Sequence, residues 1–449
     1  MNFLKGYTKQ EKSWMMYDWA NSAESVIIVT ILPIFYDTIS ANSTAAINRW
    51  GYGTSLSMLI CALLAPFLGA LGDFKGMRKK LFGRFMSVGI IACALLAFTP
   101  QMDVTSAAGS EKTGMIILAL YIICSIGHAG ANVYYDSFLT DVTTVDRMDK
   151  VSTMGYGMGY IGGSSIPLII FLVLNLIGLP MTTCLTIAFA LTAVWWAVFS
   201  IPMFKNVHQV NGVEPYKGAV RDSVKGLGET AKEIFANKPM FIFLVAYFFY
   251  IDGVNTIIHM STIYGSSLGI DSTQMMLALL LTQVLGLPFA LVYIKAAEKF
   301  GTKTMIGFGI CMYMFICVFG FFLRSAWQFW LLAVLIATSQ GGIQAMSRSM
   351  YGKLIPDKSR SGEFFGFYDI FGKFSAIMGP TLFGWSTALA QNRIMAKMGI
   401  DHTAPAEVLD AVSSQASPWG VLSVLIIFII GALLFFFLFP KAEKQASGK

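Results

Sequence analysis

Charged residues are scarce in this sequence. Asp, Glu, Lys and Arg make up 13% of its 449 residues, whereas a soluble domain carries about 25%. Hydrophobic residues make up 55%, and the mean hydropathy is +0.64. This composition excludes an ordinary soluble domain and favours a protein that is embedded in a lipid bilayer.

Cysteine and histidine are also rare, with six and four residues. No cysteines have the spacing of a zinc or redox pair, and no dense group of Cys, His and acidic residues is found, so the sequence predicts no metal and no cofactor. It also lacks a nucleotide-binding loop, a zinc-protease motif and a nucleophile elbow, which argues against ATP-driven transport and against an enzyme. A transition-metal route past Asp18, Asp252 and His259 is a weaker alternative.

Long apolar runs are what the sequence does contain. Each run has about 20 residues, enough to cross a bilayer core of roughly 30 Å as a helix. They predict an all-α membrane protein with twelve transmembrane helices. The predicted spans are 14–36, 49–72, 81–99, 114–139, 151–177, 181–204, 240–264, 274–297, 304–323, 327–350, 363–389 and 418–439.

Lysine and arginine are distributed unevenly between the two sides of these spans. With a cytoplasmic N-terminus, 26 of the 32 Lys and Arg residues lie on the cytoplasmic side. The five on the outside are Arg49, Lys112, Arg324, Arg393 and Lys397. Because cytoplasmic loops carry the excess of positive charge, this split predicts that both termini are cytoplasmic. It also explains the net charge of +7 without a nucleic-acid partner.

The longest polar stretch divides the spans into two sets of six. The sequence therefore predicts an N-terminal six-helix bundle over 1–204, a cytoplasmic linker over 205–239 and a C-terminal six-helix bundle over 240–449. Apolar residues recur at helical spacing within the linker, which indicates an amphipathic helix on the inner leaflet. A plain solvated linker is the alternative.

One short polar motif, Asp-x-x-Asn-Ser/Thr, is present in both halves. It places Asp18 and Asn21 in the first span, and Asp252 and Asn255 in the seventh. Carboxylates inside a membrane are costly and usually face a protein interior or a wet cavity. Their duplication predicts two pseudo-symmetric halves around a polar pathway. Alternatively, both aspartates bond neighbouring backbone and stabilise a helix start or a local break.

Polar side chains form a stripe on the fourth span and another on the tenth. His128, Asn132 and Asp136 follow one another at intervals of four residues, and therefore lie on one helix face. The tenth span repeats this spacing with Gln340, Gln344 and Arg348. Both stripes should face inward, where they either line the pathway or only form hydrogen bonds between helices.

Glu24 lies near the middle of the first span, about 15 Å from its predicted start at a rise of 1.5 Å per residue. Carboxyl groups that are removed from water favour their neutral form. Glu24 is therefore a candidate for binding a coupling proton, for binding a substrate ammonium group, or for contacting only the water of the pathway.

Glycines recur every four residues in the fifth span, at Gly155, Gly159 and Gly163. Small residues allow helices to approach closely inside membranes. This spacing predicts close packing of the fifth span on a neighbouring helix.

Several motifs resemble a known transporter family. The segment 69–80, GALGDFKGMRKK, is similar to the loop motif of the major facilitator superfamily. The matching residues are Gly69, Asp73, Gly76 and Arg78. More specific are 17–23 (YDWANSA), 341–349 (GGIQAMSRS) and 363–373 (EFFGFYDIFGK). Together, and over nearly the whole chain, they resemble the bacterial relatives of the vacuolar, autophagy-related amino-acid effluxers.

This resemblance implies a twelve-helix major facilitator fold that works by alternating access, as a monomer in the bacterial plasma membrane. By analogy with the fungal members it implies amino acids as substrates. Glu24 departs from the aromatic or small residue expected after Asn21-Ser22-Ala23. That departure points to a cationic substrate or to a different coupling ion.

The same fold suggests roles for charged residues near the cytoplasmic side. In it the cytoplasmic ends of the fourth and tenth spans meet when the inner side closes, so we expect Asp136 and Arg348 to pair as a cytoplasmic gate. Lys373 is expected to anchor an anion or a carboxylate, or else to neutralise Asp369 one helical turn away.

The sequence thus predicts a secondary active transporter of a small polar solute, an amino acid or a related compound, driven by protons or by the solute gradient. One alternative is an exporter of amphipathic drugs or lipids, built on 36 Phe and 25 Met; another is a membrane receptor or scaffold that does not transport. The candidate pathway residues are Asp18, Asn21, Glu24, His128, Asn132, Asp252, Asn255, Gln340, Gln344 and Lys373.

Overall fold

Helices are the dominant secondary structure in the described part of the chain. A computed structural model describes residues 4–40, 44–215, 219–401 and 403–446. In these residues the only extended pairing is an isolated bridge between Phe74 and Val213. The prediction of an all-α protein is therefore confirmed.

Thirteen long helices follow one another in the described residues: twelve correspond to the predicted spans, and α7 is the linker helix. They are α1 (Lys9–Ile39), α2 (Thr44–Gly72), α3 (Met77–Leu96), α4 (Ala107–Ser137), α5 (Met148–Leu176), α6 (Met181–Asn206), α7 (Ala219–Ala236), α8 (Lys238–Ser267), α9 (Ser272–Phe300), α10 (Thr302–Phe321), α11 (Ala326–Leu354), α12 (Ser361–Met398) and α13 (Ala406–Leu433).

Eleven helices in the described part of the chain are long and apolar enough to cross a membrane. The remaining predicted span is α12, which has 38 residues. It is less apolar because Glu363, Asp369 and Lys373 lie in its first half. Its length still exceeds what a bilayer core requires.

The chain forms two compact units. The first unit contains residues 1–232 and 352–370, and the second contains residues 233–351 and 371–449. The first turns of α12 thus pack with the N-terminal helices. The linker begins in the first unit as well, because the Val213 N–H donates to the Asp73 carbonyl at 2.8 Å and the Lys75 N–H donates to the Val213 carbonyl at 3.0 Å.

Helix α1 begins earlier than the sequence predicted, at Lys9 rather than at residue 14. Thr8 and Glu11 form a capping box: the Glu11 N–H donates to Thr8 Oγ1 at 3.1 Å, and the Thr8 N–H donates to Glu11 Oε2 at 2.8 Å. Two of the N–H groups that a helix start leaves unpaired are satisfied in this way. Glu11 also forms an ion pair with Arg147 at 2.7 Å.

The glycines of α5 pack directly against α1. A Cβ atom on Gly159 would lie 2.5 Å from Ser22 Oγ, and one on Gly163 would lie 2.5 Å from the Trp19 carbonyl oxygen. The predicted close packing of the fifth span is confirmed. These glycines lie in or beside a π-helical turn, Gly159–Ser164. Pro167, which follows it, lacks the N–H that a regular helix would use and crowds the preceding turn.

We predict that Gly163→Ala destabilises the protein by about 1–3 kcal/mol, because the added methyl group would meet backbone atoms of α1 that cannot move aside easily. The measurement is the thermal unfolding of the purified protein in detergent. Gly384→Ala is the matched control, since no atom lies within 4 Å of a Cβ at that position of α12. Equal unfolding temperatures for the two variants would contradict the prediction.

Candidate functional site

A continuous polar chain connects α1 and α4 in the first unit. Asn21 Nδ2 donates to Asn132 Oδ1 at 2.8 Å, and Asn132 Nδ2 lies 3.2 Å from His128 Nε2. An amide nitrogen can only donate, so Nε2 accepts and the proton of a neutral ring lies on Nδ1. His128 Nδ1 lies 3.3 Å from Glu24 Oε2. Four of the predicted pathway residues are thus brought together.

Glu24 is the most deeply buried member of this chain, with 1% of the residue exposed. Its distance to His128 permits ionic attraction, yet Glu24 Oε2 has no aligned hydrogen bond to any described residue. Helix α1 changes to a π-helical turn at Ile27–Ile31, directly after this position. Single π-helical turns inside α-helices are frequent at functional sites.

Buried aromatic side chains pack around His128, one member of this polar chain. The ring of Trp196 meets the ring of His128 edge-on, with centroids 5.5 Å apart. The Trp196 Nε1–H donates to Tyr17 Oη at 3.3 Å. Tyr17 contacts Tyr135, whose ring stacks on Trp14 at 4.5 Å. These rings are buried, so they restrict the orientation of the imidazole.

The duplicated motif packs against a glycine in each unit. In the first unit, a Cβ atom on Gly155 would collide with Asp18 Oδ2. In the second unit, a Cβ atom on Gly379 would collide with Thr256 Oγ1, and the Gly379 N–H donates to Asp252 Oδ1 at 3.0 Å. In both units the motif's helix thus meets the fifth helix of its half.

Asp252 is fully buried and makes the type of bond to neighbouring backbone that the alternative interpretation of the motif anticipated. Its other oxygen, Oδ2, has no hydrogen bond within the described residues. Asn255 Nδ2 lies beside it and donates to Ser375 Oγ at 3.5 Å. In the second unit the motif therefore joins α8 to α12 by direct polar contacts.

The other predicted residues of the second unit lie on α11 and α12. Gln340 and Arg348 are buried, whereas Gln344 and Lys373 are partly exposed. Asp136, the proposed partner of Arg348, is partly exposed at the end of α4 and belongs to the first unit. The pairing of Asp136 with Arg348 stays a prediction.

The loop motif between α2 and α3 forms a buried charge cluster. Asp73 Oδ1 lies 2.7 Å from Arg78 Nη2, and Arg78 Nη1 lies 2.6 Å from Asp141 Oδ2. Asp141 in turn accepts the backbone N–H groups of Val210 and Asn211 at 3.1 and 2.7 Å. The guanidinium of Arg78 is thus held between two carboxylates, which the burial of a positive charge requires.

Asp73 also binds the N-terminus of α12. The N–H groups of Gly362 and Glu363 donate to Asp73 Oδ1 and Oδ2 at 2.7 and 2.9 Å. A carboxylate at this position satisfies N–H groups that have no partner within the helix and faces the positive end of the helix dipole. Burial raises the pKa of Asp73 to about 7, and Arg78 and the two N–H groups act in the opposite direction.

Gly69 and Gly76 of the loop motif are glycines for two different structural reasons. A Cβ atom on Gly69 would collide with the Gly362 carbonyl oxygen, so α2 and α12 meet through their backbones here. Gly76 has φ of +78°, a left-handed conformation that other residues rarely adopt. The corresponding loop of the second unit is different, because Glu298 is exposed and Lys303 pairs with Glu443.

Sequence reasoning missed two parts of this arrangement, Asp141 and the support by Trp196. Asp141 carried a usable signal, since it follows Asp136 just after the end of α4 and a buried Arg78 needs acidic partners. Trp196 carried no signal, because it is one of several aromatic residues in an apolar run.

A protein-family model described as "Vacuole effluxer Atg22 like" matches residues 50–396. The MFS-type transporter YxiO of Bacillus subtilis is 43% identical over 99% of this chain and 98% of the relative. The autophagy-related protein 22-1 of Emericella nidulans is 22% identical over 82% of this chain and 75% of the relative. The resemblance inferred from the sequence motifs is confirmed.

Solved structures agree on the fold. The proton:xylose symporter XylE matches with a TM-score of 0.69 and 11% identity, over 95% of this chain and 94% of that chain. The human organic anion transporter MFSD10 matches with a TM-score of 0.67 and 12% identity, over 95% of this chain and 99% of that chain. The predicted major facilitator fold is confirmed, and identities this low carry no information on substrate.

We predict that Asp252→Asn is tolerated, because the side-chain oxygen can still accept the Gly379 N–H. Asp252→Ala leaves that buried donor unpaired and should destabilise the protein by about 1–3 kcal/mol. Thermal unfolding of both variants in detergent separates the two effects. A similar loss of stability in both variants would show that the negative charge, rather than the hydrogen bond, is needed.

A second prediction concerns pH. An unfolded Asp loses its proton near pH 4, whereas folded Asp73 has a pKa of about 7. Between pH 4 and pH 7, folded Asp73 keeps a proton that unfolded Asp73 has lost. The free energy of unfolding should therefore fall as the pH rises, by up to about 1.4 kcal/mol per pH unit from this group.

Asp73→Asn removes this contribution, so the slope of unfolding free energy between pH 5 and pH 7 should be shallower in that variant. Glu298→Gln, at the exposed end of α9 in the second unit, is the control and should keep the slope of the unmodified protein. An identical slope for Asp73→Asn and the unmodified protein would refute the assignment.

Proposed function

Because this chain belongs to the Atg22-like vacuole effluxer family of the major facilitator superfamily, we propose that it is a proton-coupled secondary transporter of amino acids or closely related solutes. It works by alternating access in the bacterial plasma membrane. The observation that carries this proposal is the polar chain Glu24–His128–Asn132–Asn21, which contains a deeply buried carboxyl group inside a membrane-spanning helix.

Glu24 is proposed as the group that binds the coupling proton. An isolated ionised carboxylate is expensive inside a membrane, so it either finds a positive partner or takes up a proton. His128 can supply the positive partner at 3.3 Å when it is protonated; Nε2 is then a donor, so the Asn132 amide has to turn its oxygen towards the ring. Movement of a proton onto Glu24 would weaken this pair and free the imidazole, which would couple protonation to a rearrangement of α1 against α4.

The amide groups of Asn21 and Asn132 are proposed to recognise the polar ends of the solute. An amino acid carries an ammonium and a carboxylate, and an amide side chain can donate to one and accept from the other. In this scheme the substrate ammonium competes with the proton for Glu24. The amino-acid class rests on the resemblance to the vacuolar amino-acid effluxers, and the polar chain agrees with it chemically.

A reconstituted system tests proton coupling. Purified protein in liposomes is given a pH gradient and radiolabelled amino acids, and accumulation is measured beside counterflow without a gradient. Glu24→Gln keeps the size of the side chain but cannot exchange a proton. We predict that this variant loses proton-driven accumulation by roughly tenfold or more and retains counterflow.

Glu111→Gln is the matched control, since Glu111 is an exposed acid that pairs with Arg49. It should behave like the unmodified protein. Full accumulation by Glu24→Gln would reject Glu24 as the proton site and leave the carrier itself intact. No saturable exchange of any solute by the unmodified protein would reject the carrier and favour a receptor or scaffold.

The substrate class has an independent test. A solute that binds only the folded protein raises its unfolding temperature by mass action. A thermal-shift screen should therefore detect amino acids rather than sugars or lipids. A response confined to amphipathic drugs or lipids would replace this substrate class with the exporter alternative.

A further inference from the structure

A groove of about 630 Å³ lies between the C-terminal half of α12 and helix α13 in the second unit. Aliphatic side chains form most of it, among them Leu389 of α12 and Ile426 and Ile429 of α13. They are open to the surroundings, with Ile426 54% exposed. Two cationic residues, Arg393 and Lys397, line the same groove one helical turn apart.

The cationic and the aliphatic parts of the groove lie at different positions along the axes of α12 and α13. Ser423 Oγ donates to the Leu382 carbonyl at 3.4 Å, and a Cβ atom on Gly420 would meet Thr387 Oγ1, which aligns the two antiparallel helices. At 1.5 Å per residue, Arg393 and Lys397 then lie roughly 9 and 15 Å beyond Thr387, towards the end of α12.

Trp419 marks the boundary between these two parts of the groove. It lines the groove and is 50% exposed. Exposed tryptophans on membrane helices concentrate at the level of the lipid headgroups. The cationic end of the groove therefore lies at headgroup level or just above it, and the aliphatic end lies beside acyl chains.

These two cations are unusual on their side of the membrane. The distribution of Lys and Arg assigns this side to the outside, where cations are few. Of the other three, Arg49 is paired with Glu111, Arg324 donates to the carbonyl groups at the end of α10, and Lys112 is a single exposed residue of α4. Neither Arg393 nor Lys397 forms an ion pair with an acidic residue within the described ranges.

We propose that this groove binds an anionic glycerophospholipid of the outer leaflet. Its phosphate lies between Arg393 and Lys397, and an acyl chain follows the aliphatic wall formed by Leu389, Ile426 and Ile429. A guanidinium and an ammonium are the side chains that bind phosphate best. A soluble anion would leave the aliphatic wall without a contact, and a neutral lipid would leave the two cations without a negative partner.

Native mass spectrometry of the full-length protein in detergent tests this proposal, with phosphatidylglycerol and phosphatidylcholine of identical acyl chains as probes. The unmodified protein should retain phosphatidylglycerol roughly tenfold more strongly than phosphatidylcholine. Arg393→Gln/Lys397→Gln should remove this preference. Arg49→Gln/Lys112→Gln removes the same number of outside charges elsewhere and should keep the preference.

Two further variants separate the headgroup from the acyl chain. Arg393→Lys keeps the charge and should keep phosphatidylglycerol bound. Ala390→Trp fills the groove while leaving both cations in place, and should release the lipid. Each variant is compared with the unmodified protein by its unfolding temperature, which confirms that it is folded.

Three results would overturn the proposal. One is equal retention of phosphatidylglycerol by the unmodified protein and by Arg393→Gln/Lys397→Gln. Another is displacement of the lipid by glycerol phosphate at the same concentration, which would indicate a site for soluble anions. The third is a dimer that only the groove variants abolish, because the groove would then be a contact between two copies of the chain.

Discussion

Hydrocarbon cannot satisfy a hydrogen bond, and this constraint decides where almost every polar side chain of the spanning helices lies. Asn21 donates a hydrogen bond to Asn132, Asp252 accepts one from the backbone of Gly379, and Ser22 packs against Gly159, which has no side chain to displace it. The glycines matter for the same reason as the polar groups. Without close approach of the helices, the buried donors and acceptors would be too far apart to meet.

The duplicated motif is present in both halves, whereas the proposed proton site is present in only one. Both halves use Asp-x-x-Asn-Ser/Thr to join the first helix of the half to its fifth helix. The register that pairs Asp18 with Asp252 pairs Glu24 with Ile258, so only the first half carries a carboxyl at this position. The repeat therefore explains the architecture, and the departure from the repeat is where the proposed proton site lies.

Much of the fold could be predicted because it depends on local patterns. Apolar runs gave twelve spans, and intervals of four residues placed His128 and Asn132 on one face of α4. Helix α1 begins at Lys9, before the apolar run that marked the first span, and Thr8 and Glu11 already have the spacing of a capping box in the sequence. Here the apolar run was a poorer guide to the helix boundary than the cap.

The rest could not be predicted because it depends on backbone groups that leave no pattern in the sequence. Asp252 binds an N–H group of α12, and Asp73 binds two more at the start of that helix. Every residue except proline supplies a backbone N–H group, so nothing in the sequence marks Gly362 or Gly379 as a partner. The loop motif was recognisable from its residues, whereas its attachment to α12 required the structure.

The connection between α2 and α3 and its counterpart between α9 and α10 differ in their access to electrolyte. Arg78 and its carboxylates are enclosed by protein, whereas the Lys303–Glu443 pair has side chains that are 50% and 27% exposed. Mobile ions weaken exposed pairs and reach enclosed ones poorly. A rise in ionic strength would thus weaken the Lys303–Glu443 pair more than the pairs around Arg78, so that the two duplicated halves respond unequally to the same salt.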